Sequence, residues 1–250
     1  MRDAAADTAL LIAAHGERQP GASNASTLQI ASAVTARGGV EVATGFINGT
    51  PSIGEALNSL AARRVVVYPL FAANGYFTRD RLVRILDEAN GQGRSIELLP
   101  PLGLDRGLPA LIADRARIIA AANGFAQKAF NIVLLAHGSR RNPASREATE
   151  WAAAEVARLG GCRQVEAAFL EEHPSLEDVA KACPGPTVVV GMFSGEGLHG
   201  ARDAPRLIAG LGRRDVAYAG VIGNAPGIED LVVRAVQGAL NGMPATVGAS

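Results

Sequence analysis

Two segments of this chain carry nearly the same residues. LIAAHGERQP occupies positions 11–20 and LLAHGSRRNP positions 134–143, so His15 and His137 stand 122 residues apart (137 − 15). Three further pairs of segments match in the same order at nearly the same separation: 45–53 with 168–176, 65–77 with 187–199, and 100–103 with 220–223. Chance does not keep four matches in order, so the chain is a tandem duplication. We predict an N-terminal domain over residues 1–123, a linker over residues 124–129 and a C-terminal domain over residues 130–250.

Each half alternates short apolar runs with longer segments of helical period. In the second half this pattern predicts strands at 131–136, 164–170, 187–193 and 216–221, and helices at 144–159, 175–183, 204–211 and 228–240. Strands that alternate with helices favour right-handed βαβ units, and uniformly apolar strands are typical of parallel sheets. The predicted fold is therefore α/β: two tandem flavodoxin-like or Rossmann-like domains related by a pseudo-twofold duplication. Each would be a mainly four-stranded parallel sheet with helices on both faces.

The balance of charge and aromatic content excludes several classes of partner. Lys+Arg and Asp+Glu are equal at 24 each, so no net charge favours nucleic acid or an anionic membrane. Aromatic residues are only 4% of the chain, which leaves few platforms for stacking bases. The N-terminal apolar run is too short for a membrane span, and acidic residues precede it. We expect a cytoplasmic protein that acts as a monomer, because the duplication can replace a dimer of half-length chains.

Three side chains suited to metal binding follow predicted strands of the second half. His137, Glu171 and His199 come at the ends of the first, second and third strand. The carboxyl ends of parallel strands share the edge where ligands bind, so these residues should converge. Two imidazoles and a carboxylate suit divalent Fe, Co, Ni or Zn, and neutral imidazole also accepts protons near pH 7. The equivalent positions of the first half hold His15, Asn48 and Phe77. We therefore predict a working site in the second half and a degenerate one in the first.

The motifs AHGSR, AFLEEHPSL and GLHGARDAP resemble those of the class II tetrapyrrole chelatases, which include sirohydrochlorin cobaltochelatase and sirohydrochlorin ferrochelatase. The resemblance covers essentially the whole chain as two family units. It implies a lyase-type enzyme of cobalamin or siroheme biosynthesis that inserts Co(II) or Fe(II) into a sirohydrochlorin-type macrocycle without ATP or a permanently bound cofactor. By position, it implies that His137 and His199 bind the metal and accept protons, with help from Glu171. Imidazole and carboxylate ligands also accept Ni(II), so the residues leave the metal open.

The substrate implied by this resemblance carries many carboxylates, and polar groups near the predicted edge should bind them. Arginine suits bidentate binding of carboxylates. The candidate substrate-binding residues are Ser139, Arg140, Arg141, Arg202, Arg18 and His15. Backbone amides of Gly138 and Ser139, beside a helix N-terminus, form a second candidate anion site. The roles of His173 and Glu196 stay open.

Two other functions compete with metal insertion. AHGER is similar to the RHGE motif of histidine phosphatases, but Ala14 and Ala136 replace the arginine that would hold the phosphate. A non-catalytic carrier of metal or tetrapyrrole, built on the same fold, would need the same ligands. Such a carrier has less need of two domains sized for a macrocycle, which favours catalysis.

Overall fold

The first strand of each half is buried along its whole length. Thr8–Ala14 and Asn131–Ala136 are buried at every position, as expected for strands that lie between two others and are covered on both faces. The computed structural model describes residues 7–16, 24–37, 39–195 and 202–242. The strands are β1 (Thr8–Ala14), β2 (Glu41–Phe46), β3 (Arg64–Leu70), β4 (Ser95–Leu98), β5 (Asn131–Ala136), β6 (Val165–Phe169), β7 (Thr187–Gly191) and β8 (Val216–Val221).

Within the described residues these strands form two four-stranded sheets of the same topology. The strand orders are β2-β1-β3-β4 and β6-β5-β7-β8, and every pairing is parallel. The predicted α/β fold with mainly four-stranded parallel sheets is confirmed. β7 ends at Gly191, two residues before its predicted end, where its pairing with β8 becomes irregular between Val189 and Gly191.

Amphipathic helices cover the sheets. They are α1 (Ala25–Ala36), α2 (Ile53–Ser59), α3 (Val83–Ala89), α4 (Leu108–Ala122), α5 (Ala144–Leu159), α6 (Leu176–Ala182), α7 (Ala204–Gly210) and α8 (Ile228–Leu240). The predicted bounds of α5 and α8 are reproduced, and α6 is shorter because Ser175 and Cys183 are its caps. Across the described ranges, no helix is both long and apolar enough to cross a membrane.

The turns after β2 and β6 are built alike, as the duplication predicts. Each contains a cis peptide bond before a proline, at Thr50-Pro51 and at His173-Pro174. Each leads into a helix that begins with a capping box, in which Ser52 or Ser175 accepts a hydrogen bond from the third helical amide. His173 lies in the second of these turns, where its Nδ1 is 2.7 Å from Asp178 Oδ2 and its side chain is 83% exposed.

The compact units of the chain do not coincide with its two sequence repeats. The first unit contains the described residues up to Asp105 together with those from Pro226 onward, and the second unit contains Arg106–Ala225. Helix α8 therefore packs on α1 and β3, whereas α4 packs on α5, β7 and β8. Arg115 of α4 also donates a hydrogen bond to the carbonyl of Ala219 in β8 (3.1 Å). The predicted boundary at residues 123 and 124 marks the sequence repeat, whereas each compact unit contains the last helix of the other repeat.

Candidate functional site

Two loops at the carboxyl edge of the second sheet are joined through their backbones. β5 ends at Ala136, and the carbonyl oxygen of His137 accepts hydrogen bonds from the amides of Leu170 (3.1 Å) and Glu171 (3.0 Å) after β6. Gly138 has a φ of +71°, which turns the chain away directly after His137. The strand-end rule thus places His137 and Glu171 side by side, as the sequence predicts.

The side chains of this pair are arranged as two acceptors that face one another. His137 Nδ1 lies 3.0 Å from the carbonyl oxygen of Gly138, and a carbonyl only accepts, so this contact favours the tautomer with its proton on Nδ1. The lone pair is then on Nε2, which is 3.6 Å from Glu171 Oε1. Ligands at roughly 2.0–2.2 Å from one divalent metal lie about 3–3.5 Å apart, so this spacing is close to that of a shared cation. The two side chains are partly exposed, His137 at 41% and Glu171 at 59% of their surfaces.

A partly buried ion pair, formed by Arg146 and Glu172, lies next to these residues. Arg146, in the first turn of α5, donates to Glu172 Oε2 from Nη2 (2.9 Å) and from Nε (3.3 Å). The other oxygen of Glu172 accepts a hydrogen bond from the amide of Ser139 (3.0 Å), and only 13% of the Glu172 side chain is exposed. Arg146 and Glu172 therefore connect α5 to both loops of the site.

The charge of Glu172 is stabilised by this environment. Partial burial acts to raise the pKa of its carboxyl. The hydrogen bonds from Arg146 and from the Ser139 amide, together with the charges of Arg146 and Arg140, outweigh that effect and lower the pKa below its ordinary value. Glu172 is consequently ionised at neutral pH and balances the Arg146 charge.

The backbone amides after His137 do not form the predicted anion site. The Gly138 amide donates to Ser145 Oγ (3.2 Å), and the Ser139 amide donates to Glu172. The hydroxyl of Ser139 accepts from the amide of Arg141 (3.2 Å). The prediction for these amides is wrong because a side chain of the same unit already occupies each one.

Three of the four arginines predicted to bind substrate lie within the described residues. Arg140, Arg141 and Arg202 are exposed, and none forms an ion pair with another described residue. Arg202 lies in a π-helical turn that leads into α7. Arg18, Glu196 and His199 lie outside the described residues. Among the residues that are described, no three His, Cys, Asp or Glu side chains lie close enough together to hold a metal.

The first unit keeps the backbone of this site with different side chains. The amide of Asn48 donates to the carbonyl of His15 (2.9 Å), matching the bond between Glu171 and His137. The ring of His15 lies 4.7 Å from that of Phe77, the residue equivalent to His199. A neutral amide at position 48 supplies no negative charge for a cation. The first unit therefore shows the frame of the site with one of its three candidate ligands.

Arg146 and Glu172 were missed by sequence reasoning. They are 26 residues apart (172 − 146), and surface helices and loops often carry such charges. The duplication held a signal for them, since the equivalent positions of the first half are Asn24 and Gly49. A charged pair that appears in only the half with both candidate histidines points to that half's site.

Comparison with known proteins places the chain among one group of relatives. A family model described as CbiX matches residues 9–119 and again residues 131–239. A curated protein of Halobacterium salinarum, named probable sirohydrochlorin cobaltochelatase, is 26% identical over 266 residues, which is 90% of this chain and 89% of that protein.

Solved structures with the same fold include CbiX, described as the terminal enzyme for biosynthesis of siroheme in denitrifying bacteria. It is 30% identical to this chain with a TM-score of 0.74, and the match covers 92% of this chain and 99% of that one. The sirohydrochlorin chelatase SirB from Bacillus subtilis subspecies spizizenii, solved in complex with cobalt, has a TM-score of 0.73 at 16% identity, covering 94% and 96%. The similarity to SirB is one of fold alone.

Proposed function

Because the chain belongs to the CbiX family, we propose that it inserts a divalent metal ion, Co(II) or Fe(II), into a sirohydrochlorin-type tetrapyrrole. It acts as a lyase-type chelatase of cobalamin or siroheme biosynthesis, in the cytoplasm, as a monomer, without ATP and without a permanently bound cofactor. The observation that carries this proposal is the exposed pair formed by His137 Nε2 and Glu171 Oε1, 3.6 Å apart. The relatives named for sirohydrochlorin and siroheme support the substrate class.

The reaction exchanges one metal cation for two pyrrole N–H protons of the macrocycle. In this proposal the Nε2 lone pair of His137 and the carboxylate of Glu171 bind the incoming metal. His199 is the third ligand, by its place in the repeat, and the contact between His15 and Phe77 in the first unit supports that assignment. As the metal passes to the pyrrole nitrogens, the two released protons are taken up by the vacated imidazole and carboxylate and then by water. The negative charge of Glu171 favours both the bound cation and the protonated imidazole.

The macrocycle's carboxylates are bound by arginines around this site. Arg140, Arg141 and Arg202 are exposed, so their guanidinium groups can reach a bound substrate. Guanidinium groups bind carboxylates in a bidentate geometry, which suits a substrate with acidic side chains on its rim. We assign Ser139, through its hydroxyl, and the first-half residues His15 and Arg18 to the same substrate-binding set.

Anaerobic absorption spectroscopy of sirohydrochlorin with Co(II), and separately with Fe(II) and Ni(II), tests this function. Wild-type protein should convert the spectrum faster than a no-enzyme control. His137→Ala and Glu171→Gln should each lower that rate by at least about tenfold, since general-base help alone is typically worth about 10²–10⁴. The matched control is His15→Ala, the equivalent change in the first unit, which should have a smaller effect.

Two results of this experiment would contradict the proposal. If the wild type binds the macrocycle but does not accelerate metal insertion, the chain is a carrier and the catalytic proposal is wrong. If His15→Ala alone abolishes turnover, the working site lies in the first unit. The metal inserted fastest identifies the physiological candidate among the three.

A further inference from the structure

We propose that Arg146 and Glu172 are positioning residues that hold Glu171 toward His137 and keep it available for the metal. This inference rests on the proposed function, because it concerns the same candidate ligands. Neither residue faces the macrocycle or the metal in this scheme. Their effect passes through the two loops that they connect.

Arg146 is held from several sides. Its guanidinium donates two hydrogen bonds to Glu172 Oε2, one to the carbonyl of His173, and a further one to Glu150 Oε1 (3.0 Å). Its guanidinium carbon also lies 4.5 Å from the centre of the Phe169 ring, at the end of β6. A planar group bound at its edge and its face has little freedom, so Arg146 fixes the segment that contains Glu171 from both of its ends.

Glu172 connects that segment to the loop after β5. Through Oε2 it accepts from Arg146, and through Oε1 it accepts from the amide of Ser139, two residues beyond His137. Gly138 makes this close approach possible, since a Cβ there would lie 2.8 Å from Glu172 Cγ. The position of Glu171 relative to His137 is thus set by its neighbour as well as by the backbone bond to the His137 carbonyl.

Glu172 pairs with Arg146, and this leaves the adjacent carboxylate of Glu171 to bind the metal. Arg146 is occupied by Glu172 and Glu150, and none of the described arginines pairs with Glu171. A guanidinium released from Glu172 would be free to pair with the neighbouring carboxylate and compete with a metal cation for it. The ion pair between Arg146 and Glu172 therefore keeps this arginine from competing with a metal for Glu171.

The first unit shows that this pair is not required for the backbone frame. Asn24 and Gly49 stand at the equivalent positions, and a Cβ on Gly49 would lie 3.4 Å from Asn24 Nδ2, so the two positions also face each other there. The bond between the Asn48 amide and the His15 carbonyl still forms, at 2.9 Å. The ion pair accompanies the acidic ligand in the second unit, as expected of a positioning role.

The test is Co(II) binding to the full chain, followed by the visible absorption of the bound ion. Arg146→Met and Glu172→Gln should each raise the Co(II) dissociation constant about 10–100-fold, the usual cost of losing an outer-shell partner. Arg146→Lys should remain weakened, because an ammonium cannot reproduce the fork that binds Glu172. The matched control is Arg158→Met at the other end of α5, where Arg158 pairs with Glu155 (2.7 Å) and is 74% exposed. This control should bind Co(II) within about twofold of wild type.

A Glu171→Gln background separates positioning from general loss of structure. If Arg146 acts through Glu171, Arg146→Met should cost little further Co(II) affinity once Glu171 is already replaced. An equal loss in both backgrounds would overturn the proposal, and so would wild-type affinity in both Arg146→Met and Glu172→Gln. If Arg146→Met and Glu172→Gln both bind Co(II) like the wild type, the proposed function still stands provided that His137→Ala and Glu171→Gln abolish binding and insertion. If those two variants also bind and turn over normally, both proposals are wrong.

Discussion

Gly138 provides a sharp test of how tightly the site's loops are packed. The residue combines a φ of +71° with close neighbours: a Cβ would lie 2.8 Å from Glu172 Cγ and Oε1 and 2.9 Å from Phe169 Cβ. The perturbation is Gly138→Ala, which adds a single methyl group at that point. The tip of Glu172 can rotate away, but Phe169 Cβ is tied to the backbone of β6 and cannot.

The matched control is Gly124→Ala in the same unit. Gly124 has a φ of +72°, and nothing lies within 4 Å of a Cβ built on it. It should therefore lose only the cost of placing an L-residue in a left-handed conformation, about 1–2 kcal/mol. Gly138→Ala carries that cost and adds an overlap that should be worth about 1–3 kcal/mol, as for other overpacked sites, so its total is about 2–5 kcal/mol.

Urea denaturation measures both free energies of unfolding, and Co(II) titration follows the site. Gly138→Ala should be the less stable variant by about 1–3 kcal/mol and should also bind Co(II) more weakly, because its methyl group displaces Glu172 from the Ser139 amide. Gly124→Ala should bind Co(II) like the wild type. Equal destabilisation of the two variants would refute the argument, since it would mean that the loops yield to the methyl group without cost.

Two further predictions concern groups whose environment is visible in the fold. Hydrogen bonds from the Ser175 amide, the His173 ring and the Ser175 hydroxyl hold the pKa of Asp178 at about 2 instead of 3.8. The contribution of Asp178 to stability is therefore present above pH 3.8 and lost as the pH falls toward 2. Acid unfolding of Asp178→Asn should therefore depend less on pH within that window, and an unchanged dependence would exclude these hydrogen bonds to Asp178 as its source. Burial raises the pKa of Tyr68 well above its ordinary value, and its hydroxyl donates to Asp105 Oδ2 (2.9 Å). Tyr68→Phe should lose about 1–3 kcal/mol in urea denaturation, compared with less than about 0.5 kcal/mol for the exposed Tyr76→Phe.

The sheets and several helix bounds were accessible from sequence because they depend on local patterns. β5 lies where a continuous apolar run predicts a strand, and α8 lies where helical periodicity predicts a helix. The sequence did not show which sheet each helix packs against. Periodicity shows that Ile228–Leu240 has an apolar face, but the sheets offer two similar apolar surfaces, and nothing local to the helix distinguishes them.

The candidate site likewise contains residues that the sequence predicts and residues that it does not. His137 and Glu171 come together through the general rule that parallel strands share one carboxyl edge. The ion pair between Arg146 and Glu172 depends on side-chain directions at the first turn of a helix and in a tight turn, which sequence spacing does not specify. The same limit explains the wrong prediction for the Gly138 amide, because its acceptor, Ser145, approaches only once the helix is in place.

The exchange of terminal helices has a consequence for synthesis on the ribosome. Domains generally fold in the order in which they emerge, the N-terminal one first. Here Arg106–Ala225 can form a complete unit while the first sheet still lacks its last helix, Ile228–Leu240, whose residues Leu231, Val232 and Val236 are buried. The first unit is thus the last to finish folding, and a nascent chain stalled before residue 228 would leave the apolar surface that Ile228–Leu240 covers exposed.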